Sequence, residues 1–183
     1  MKRRMVLVID IIVLVTALAA GLFWFARAYH MNNNGSSGAT VLNYSNQGLT
    51  SVGAGIYNQT NATALDLSHN NLRSLPSQMG RMTHLTSLNV SYDSLQGSLI
   101  AEIRLMPLVS LDASHNDMTG MPAEIGQLHN LQTLNYSYNQ INTLPNELAN
   151  LTQLNTLNLM GNPLSAAQIN SLKAELPHTA IVF

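Results

Sequence analysis

Aromatic and acidic residues that could do chemistry recur along this chain at a spacing of 23 positions. One set alternates histidine with tyrosine and consists of His69, Tyr92, His115 and Tyr138. Three positions before each ring lies an aspartate or an asparagine, and these are Asp66, Asn89, Asp112 and Asn135. Histidine and aspartate bind metals and transfer protons near neutral pH. The structure that positions them decides whether they can act together.

Two histidines that are separated by two copies of a strand would lie roughly 10 Å apart in a parallel sheet. One metal ion holds nitrogen ligands at about 2.1 Å, so His69 and His115 share an ion only with considerable side-chain reach. Asp66 and Asp112 have a spacing near the roughly 6.5–9.5 Å of inverting glycosidases, but an open sheet offers no closed site for the acid. The sequence also has no nucleophile elbow, phosphate loop or His-Glu-x-x-His motif. We therefore expect no catalytic residue, metal or cofactor, and a protein that is not an enzyme.

Leucines follow the same period and predict the elements that hold these residues. Copies of the pattern L-x-x-L-x-L-x-x-N-x-L begin at residues 39, 62, 85, 108, 131 and 154, as in ALDLSHNNLRSLP (64–76) and LNTLNLMGNPL (154–164). Each Leu-x-Leu pair predicts a strand with one buried face, and stacking the copies closes a continuous core. Over residues 39 to about 176 the chain resembles the leucine-rich repeat family, whose period range includes 23. The resemblance implies an α/β solenoid with parallel strands on its concave face and short helical or irregular convex segments.

The ninth position of each copy is expected to bind the turn backbones of adjacent coils, because an amide both donates and accepts hydrogen bonds. It is occupied by Gln47, Asn70, Asp93, Asn116, Asn139 and Asn162. An ionised Asp93 accepts but does not donate, and the same copy lacks the Leu-Pro pair found in others. We therefore expect an irregular convex segment in this copy and the weakest protection at residues 93–107.

The repeat domain is predicted to span residues 39–183, with atypical copies at both ends. Residues 39–61 form a degenerate N-terminal cap, residues 62–164 the repeats and residues 165–183 a C-terminal cap. Ser165 and Gln168 form a capping-box pattern that predicts a helix start.

The N-terminus predicts a membrane anchor. Residues 1–4 are basic and predicted to be cytoplasmic, and an apolar segment at 5–28 is long enough to cross a bilayer as one transmembrane helix. Residues 29–38 are predicted to form a flexible linker. Because the basic residues precede the apolar segment, the repeats are expected outside the cytoplasm. Small residues near positions 19 and 28 leave a cleaved signal and a secreted protein as the alternative.

The composition of the chain excludes one class of partner. Only 9% of the residues are charged, the net charge is −1, and no basic run occurs beyond residue 4, so nucleic acid is excluded. The resemblance implies that the concave face binds a protein, peptide or glycan, and a structural surface protein without a specific ligand is the other interpretation. The candidate binding residues are the two sets already named: His69, Tyr92, His115, Tyr138, Asp66, Asn89, Asp112 and Asn135. The serines at the seventh position are expected on the same face, and these are Ser68, Ser91, Ser114 and Ser137.

Overall fold

The structure, a computed structural model, describes residues 40–183. The predicted cytoplasmic N-terminus (1–4), transmembrane helix (5–28) and linker (29–38) lie outside these residues, as does residue 39. Within the described range, no helix combines the length and the apolar character needed to span a membrane. The predicted domain boundaries stay predictions.

Parallel strands, one from each coil, form the main sheet. In sheet order its seven strands are β1 (Thr40–Asn43), β2 (Ala62–Asp66), β3 (Ser87–Asn89), β5 (Ser110–Asp112), β7 (Thr133–Asn135), β8 (Thr156–Asn158) and β9 (Ala180–Val182). Two shorter strands, β4 (Gln96–Gly97) and β6 (Asp117–Met118), pair separately. The register aligns Leu65 with Leu88 and Leu88 with Leu111, so the fourth-position leucines form one row. This arrangement fits the α/β solenoid that the leucine pattern predicts.

Short helical segments lie between the strands and close the other side of the core. They are α1 (Ala54–Tyr57), the 3₁₀ helices Ser77–Arg81, Ala101–Leu105, Ala123–Gln127 and Asn146–Asn150, and α2 (Ala166–Glu175). The expected irregular segment in the third copy is wrong, because Ala101–Leu105 is a 3₁₀ helix of the same length as its neighbours. Its Ile103 is fully buried although it comes one position late in the repeat, because the helix starts one residue later.

Helix α2, near the C-terminus, starts where the capping-box pattern predicts. The backbone N–H of Gln168 donates to Oγ of Ser165 at 3.3 Å, and the backbone N–H of Ser165 donates to Oε1 of Gln168 at 2.8 Å. Helix α2 buries Leu172 and Leu176 against the core, and β9 then pairs with β8. These contacts cover the last coil.

Buried asparagines connect adjacent coils, and we call Asn70, Asn116, Asn139 and Asn162 the asparagine ladder. Oδ1 of Asn116 accepts from the backbone N–H of Leu95 at 2.9 Å. Its Nδ2 lies within hydrogen-bond distance of three carbonyls, including those of Val90 (2.9 Å) and Ala113 (3.2 Å). Since buried backbone groups are costly when unpaired, each such amide satisfies groups that water does not reach.

Asp93 occupies the ladder position between Asn70 and Asn116 and satisfies fewer groups. Its Oδ1 accepts from the backbone N–H of Leu72 at 2.9 Å. Its Oδ2 is buried and has no hydrogen-bond partner among the described residues. Burial raises the pKa of this carboxyl from 3.8 to about 6, against the opposing effect of the backbone N–H groups of Leu72 and Asn70 and with a small further rise from the charge of Asp66. The carboxyl therefore favours its protonated form more than an exposed aspartate does.

Candidate functional site

The backbone turn at the eighth position of four successive coils places an aromatic ring on the surface. His69, Tyr92, His115 and Tyr138 all have positive φ, between 54° and 57°. This left-handed conformation is uncommon for residues other than glycine and costs about 1–2 kcal/mol each. It turns the chain so that the eighth residue faces solvent and the ninth enters the ladder. Backbone bonds to the next coil hold the turn, as in His69 N–H to the Ser91 carbonyl at 2.9 Å.

The four rings stack into one continuous row, which we call the ring column. Consecutive ring centroids are 4.4, 4.0 and 4.4 Å apart, and the planes differ by 11°, 11° and 20°. Tyr92 and Tyr138 are 47% and 48% exposed. Because the interior ring faces cover one another, the ring edges, with their C–H, N–H and O–H groups, are what the column presents to solvent.

The ring column ends at the last coil, which has a glycine in place of a ring. Gly161, with φ of 75°, takes the eighth position there. A Cβ on Gly161 would lie 2.8 Å from Cδ1 of Tyr138, so a side chain at this position would collide with the last ring. The hydroxyl of Tyr138 donates to Sδ of the exposed Met160 at 3.1 Å. Glycine at position 161 therefore leaves room for the last ring, and one weak hydrogen bond holds its hydroxyl.

The acid and amide row beside the rings is held by the serines two positions later. Oδ1 of Asp66 accepts from the backbone N–H and the hydroxyl of Ser68 at 2.9 and 2.7 Å. The same pair of bonds recurs at Asn89, Asp112 and Asn135 with their own serines. The expectation that the seventh-position serines line the binding face is wrong, because all four of them are buried: Ser68, Ser91, Ser114 and Ser137.

The predicted site residues are brought together on one surface, with different access to solvent. Asp66, Asn89 and Asp112 are partly exposed, whereas Asn135 is only 8% exposed. Nδ2 of Asn135 donates to Oδ2 of Asp112 at 3.0 Å. Asn135 therefore positions the carboxylate of Asp112 and presents little surface of its own.

Hydroxyls at the third position of the coils form a further row, which was not expected from the sequence. Ser87, Ser110, Thr133 and Thr156 are partly exposed and lie two residues before the acid and amide row on the same strands. The period-two alternation of strands contained this signal, since residues i and i+2 share a face. We call the surface formed by this hydroxyl row and the acid and amide row the sheet face.

The charges of the sheet face are all negative. On the seven main strands, the ionisable residues are Asp66 and Asp112. The basic residues of the described range lie outside those strands and are Arg73, Arg81, Arg104 and Lys173. Among residues 40–183, no group of three or more histidine and acidic side chains is placed to hold a metal ion. The face thus combines hydrogen-bonding groups with negative charge.

Comparison with known proteins gives matches in the repeats. Residues 61–82 and 107–164 match family models that are each described as leucine-rich repeat. Among curated proteins, no sequence matches this chain.

Three solved structures of similar fold come from a bacterium and from plants. A leucine-rich repeat protein of Leptospira interrogans is 27% identical, with a TM-score of 0.58, over 73% of this chain and 40% of its own. The plant peptide hormone receptor RGFR1, solved with RGF2, is 33% identical, with a TM-score of 0.60, over 70% of this chain and 21% of its own.

A third structure is the ectodomain of the membrane receptor kinase GASSHO1/SCHENGEN3 of Arabidopsis thaliana in complex with Casparian strip integrity factor 2. It is 29% identical, with a TM-score of 0.60, over 80% of this chain and 17% of its own. This chain thus spans less than half the length of each of the three structures. Family models, solved structures and coil geometry together support the leucine-rich repeat family for this chain.

Proposed function

We propose that this chain is a non-catalytic binding module that holds a protein or peptide partner on its sheet face and ring column. The observation that carries the proposal is the ring column, a continuous row of four rings that the described part of the chain leaves open to solvent. Tyrosines of this kind are frequent energetic anchors of protein interfaces. The two plant receptors of similar fold were solved with their partners, which supports the same use of the fold here.

The geometry favours a polypeptide over a glycan. A sugar ring packs its C–H groups against the face of an aromatic ring, but the interior faces of the ring column are covered at centroid distances of 4.0–4.4 Å. Ring edges and the hydroxyl row instead offer hydrogen-bond donors, which suit the carbonyl groups of a peptide backbone.

Loss of capture by ring variants tests this proposal. The full chain serves as bait for partners from its native cell surface, and Tyr92→Ala and Tyr138→Ala are expected to reduce capture at least tenfold, as for central aromatic anchors. Gln127→Ala and Gln153→Ala, both exposed on the helical side, are matched controls and should retain it. Equal loss from both pairs of variants, with the fold intact by circular dichroism, would place binding elsewhere. No dependence on either pair would favour a structural protein without a specific ligand.

We further propose that residues 5–28 anchor the module in a membrane with the repeats outside the cytoplasm. The basic residues before the apolar segment support this orientation. The mature protein should resist carbonate extraction, and protease added to sealed cells or spheroplasts should digest the repeats. A mature N-terminus near residue 20 or 29 would instead establish secretion.

A further inference from the structure

The binding surface repeats with a period of two coils, although the fold repeats with every coil. The segments DLSH (66–69) and DASH (112–115) alternate with NVSY (89–92) and NYSY (135–138). Every second coil therefore pairs an aspartate with a histidine, and the coils between them pair an asparagine with a tyrosine. A ligand lying along the sheet face meets the same charged unit twice.

Each charged unit has a carboxylate oxygen that can serve a ligand. Oδ1 of Asp66 and of Asp112 is held by the serine of the same coil. Oδ2 of Asp112 is oriented by Asn135 at 3.0 Å, whereas no hydrogen bond from the described residues reaches Oδ2 of Asp66. Because no lysine or arginine lies on the main strands of the described range, the two charges have no basic neighbour in the sheet. The charge complement of this face is a ligand with two cationic groups.

The distance between the units matches one kind of backbone. Neighbouring strands lie about 4.8 Å apart, so two coils separate Asp66 from Asp112 by roughly 10 Å. A polyproline II segment has three residues per turn and rises about 3.1 Å per residue, which places side chains i and i+3 on one side roughly 9 Å apart. In a β-strand the same-side residues i and i+2 are only about 7 Å apart, and i and i+4 are about 13 Å apart.

The polar character of the face also favours an extended segment over a helix. A helix could present residues i and i+7 about 10 Å apart, but helices dock through an apolar stripe in an apolar groove. The sheet face offers hydroxyls, amides and ring edges in place of such a groove. An extended segment has no internal hydrogen bonds, so its carbonyls remain free to accept from these donors.

We infer that the partner presents an extended segment with two basic side chains three residues apart. One basic side chain pairs with Asp66 beside His69, and the other pairs with Asp112 beside His115. Asn89 and Tyr92 contact the segment between them. This inference rests on the proposed binding function and names the chemistry that the sheet face selects.

Synthetic peptides in a proline-rich host test the spacing directly. Four fluorescent peptides carry two lysines at i,i+2, at i,i+3 or at i,i+4, or two glutamates at i,i+3, and a fifth is an alanine-rich helical peptide with lysines at i,i+7. Anisotropy with the full chain is expected to show the i,i+3 lysine peptide binding about fivefold more tightly than the other lysine spacings, with weaker binding at high salt. Tightest binding by the helical peptide, or equal binding of all lysine spacings, would overturn the inference.

Asparagine variants provide the matched test on the protein. Asp66→Asn and Asp112→Asn each convert a charged unit into the kind already present at Asn89 and Asn135, so the serine bonds and the fold are expected to persist. Each variant should weaken the i,i+3 peptide about three- to fivefold, as for an exposed ion pair, and the double variant should abolish the preference for spacing. Glu147→Gln changes an exposed residue on the helical side and should leave both the affinity for the i,i+3 peptide and the preference for spacing unchanged.

The failure of this inference is distinguishable from the failure of the proposed function. The tyrosine variants could abolish capture of the native partner while the peptides bind equally at every lysine spacing. The proposed function would then be supported, and the inferred spacing of basic side chains would be wrong. If neither the tyrosine nor the aspartate variants affect any capture, both are wrong.

Discussion

Two columns that are adjacent in the sequence have opposite roles in the coils that carry an aromatic ring. Tyr138 is 48% exposed and stacks on a neighbouring ring, whereas Asn139, the next residue, is 1% exposed and bonds to the backbone of the preceding coil. The ladder position requires a group that donates and accepts at fixed places. The ring position requires only a flat side chain that tolerates a positive φ. The inner column therefore holds the coils together, whereas the outer column accepts either histidine or tyrosine.

The ladder itself contains an informative contrast between Asn139 and Asp93. Nδ2 of Asn139 is 3.0 Å from the carbonyls of both Ala113 and Tyr136. Asp93 has an oxygen in place of this group, and that oxygen has no partner among the described residues. One atom thus separates a satisfied coil junction from an unsatisfied one.

Removing a ladder amide should have the largest effect on stability. Asn139→Ala leaves the Met118 N–H without its acceptor and removes one of the two amide donors from each of two carbonyls, those of Ala113 and Tyr136. We therefore expect the free energy of unfolding to fall by about 3 kcal/mol. Urea denaturation measures the loss. Asn142→Ala, the same change at an exposed position nearby, is the control and should stay within about 0.5 kcal/mol. Equal losses from both variants would mean that the ladder is not what stabilises the coils.

Completing the ladder should have the next largest effect, with the opposite sign. Asp93→Asn supplies the missing donor and is expected to raise the free energy of unfolding by about 1–3 kcal/mol near pH 8. Since burial raises the pKa of Asp93 from 3.8 to about 6, the native state binds this proton more tightly than the unfolded chain does. Wild-type stability should therefore fall as the pH rises from about 4 through about 6, and the gain from Asn should be small at pH 4.

Denaturation curves at pH 4 and pH 8 measure this dependence, with the exposed Asp117→Asn as the control. Hydrogen exchange gives a second measurement, because residues 93–107 should exchange faster than residues 116–130 in the wild type and slow down in Asp93→Asn. A gain that is the same at both pH values, or no gain at all, would show that the carboxyl fits its site without the proton.

The sequence predicted the elements that depend on strict periodicity. Leucine spacing determined the parallel register, and the ninth-position asparagines were correctly expected to bind the turns. The same expectation for Gln47 is wrong, because its side chain is exposed and only its backbone N–H takes part, as a donor to Oδ1 of Asn70. The seventh-position serines were misplaced because the strands end at the fifth position, as β3 does at Asn89, so the alternation of faces does not extend to residue 91. The 3₁₀ helix Ala101–Leu105 was missed because a one-residue shift keeps Ile103 buried without the Leu-Pro signal. Stacking of the rings depends on side-chain rotation, which spacing does not specify.

A smaller effect is expected at Tyr136, the other buried group that lacks a partner. Its ring is fully buried, at the position that the small Ala113 takes in the preceding coil. Its hydroxyl has no hydrogen-bond partner within residues 40–183, and burial raises its pKa. Tyr136→Phe removes an unpaired polar group at almost constant shape, so we expect stability to rise by up to about 1 kcal/mol. Tyr44→Phe is the matched contrast and should lower stability, because the Tyr44 hydroxyl accepts from Nε2 of Gln59 at 2.7 Å. A loss in Tyr136→Phe, measured by urea denaturation, would reveal a partner for the hydroxyl.

The smallest effect should come from exchanging the two ring types of the outer column. Histidine already occupies the eighth position at His69 and His115, with the same positive φ and the same stacking on Tyr92. Tyr92→His therefore keeps an aromatic ring between two others, and we expect the free energy of unfolding to stay within about 0.5 kcal/mol of the wild type. Tyr92→Ala removes the ring contacts and should cost about 1 kcal/mol, the usual value of an aromatic pair. Thermal and urea unfolding of the two variants measure the difference. If Tyr92→His instead cost as much as Asn139→Ala, ring identity would be a requirement of the fold, and the alternation of histidine and tyrosine would no longer point to a ligand.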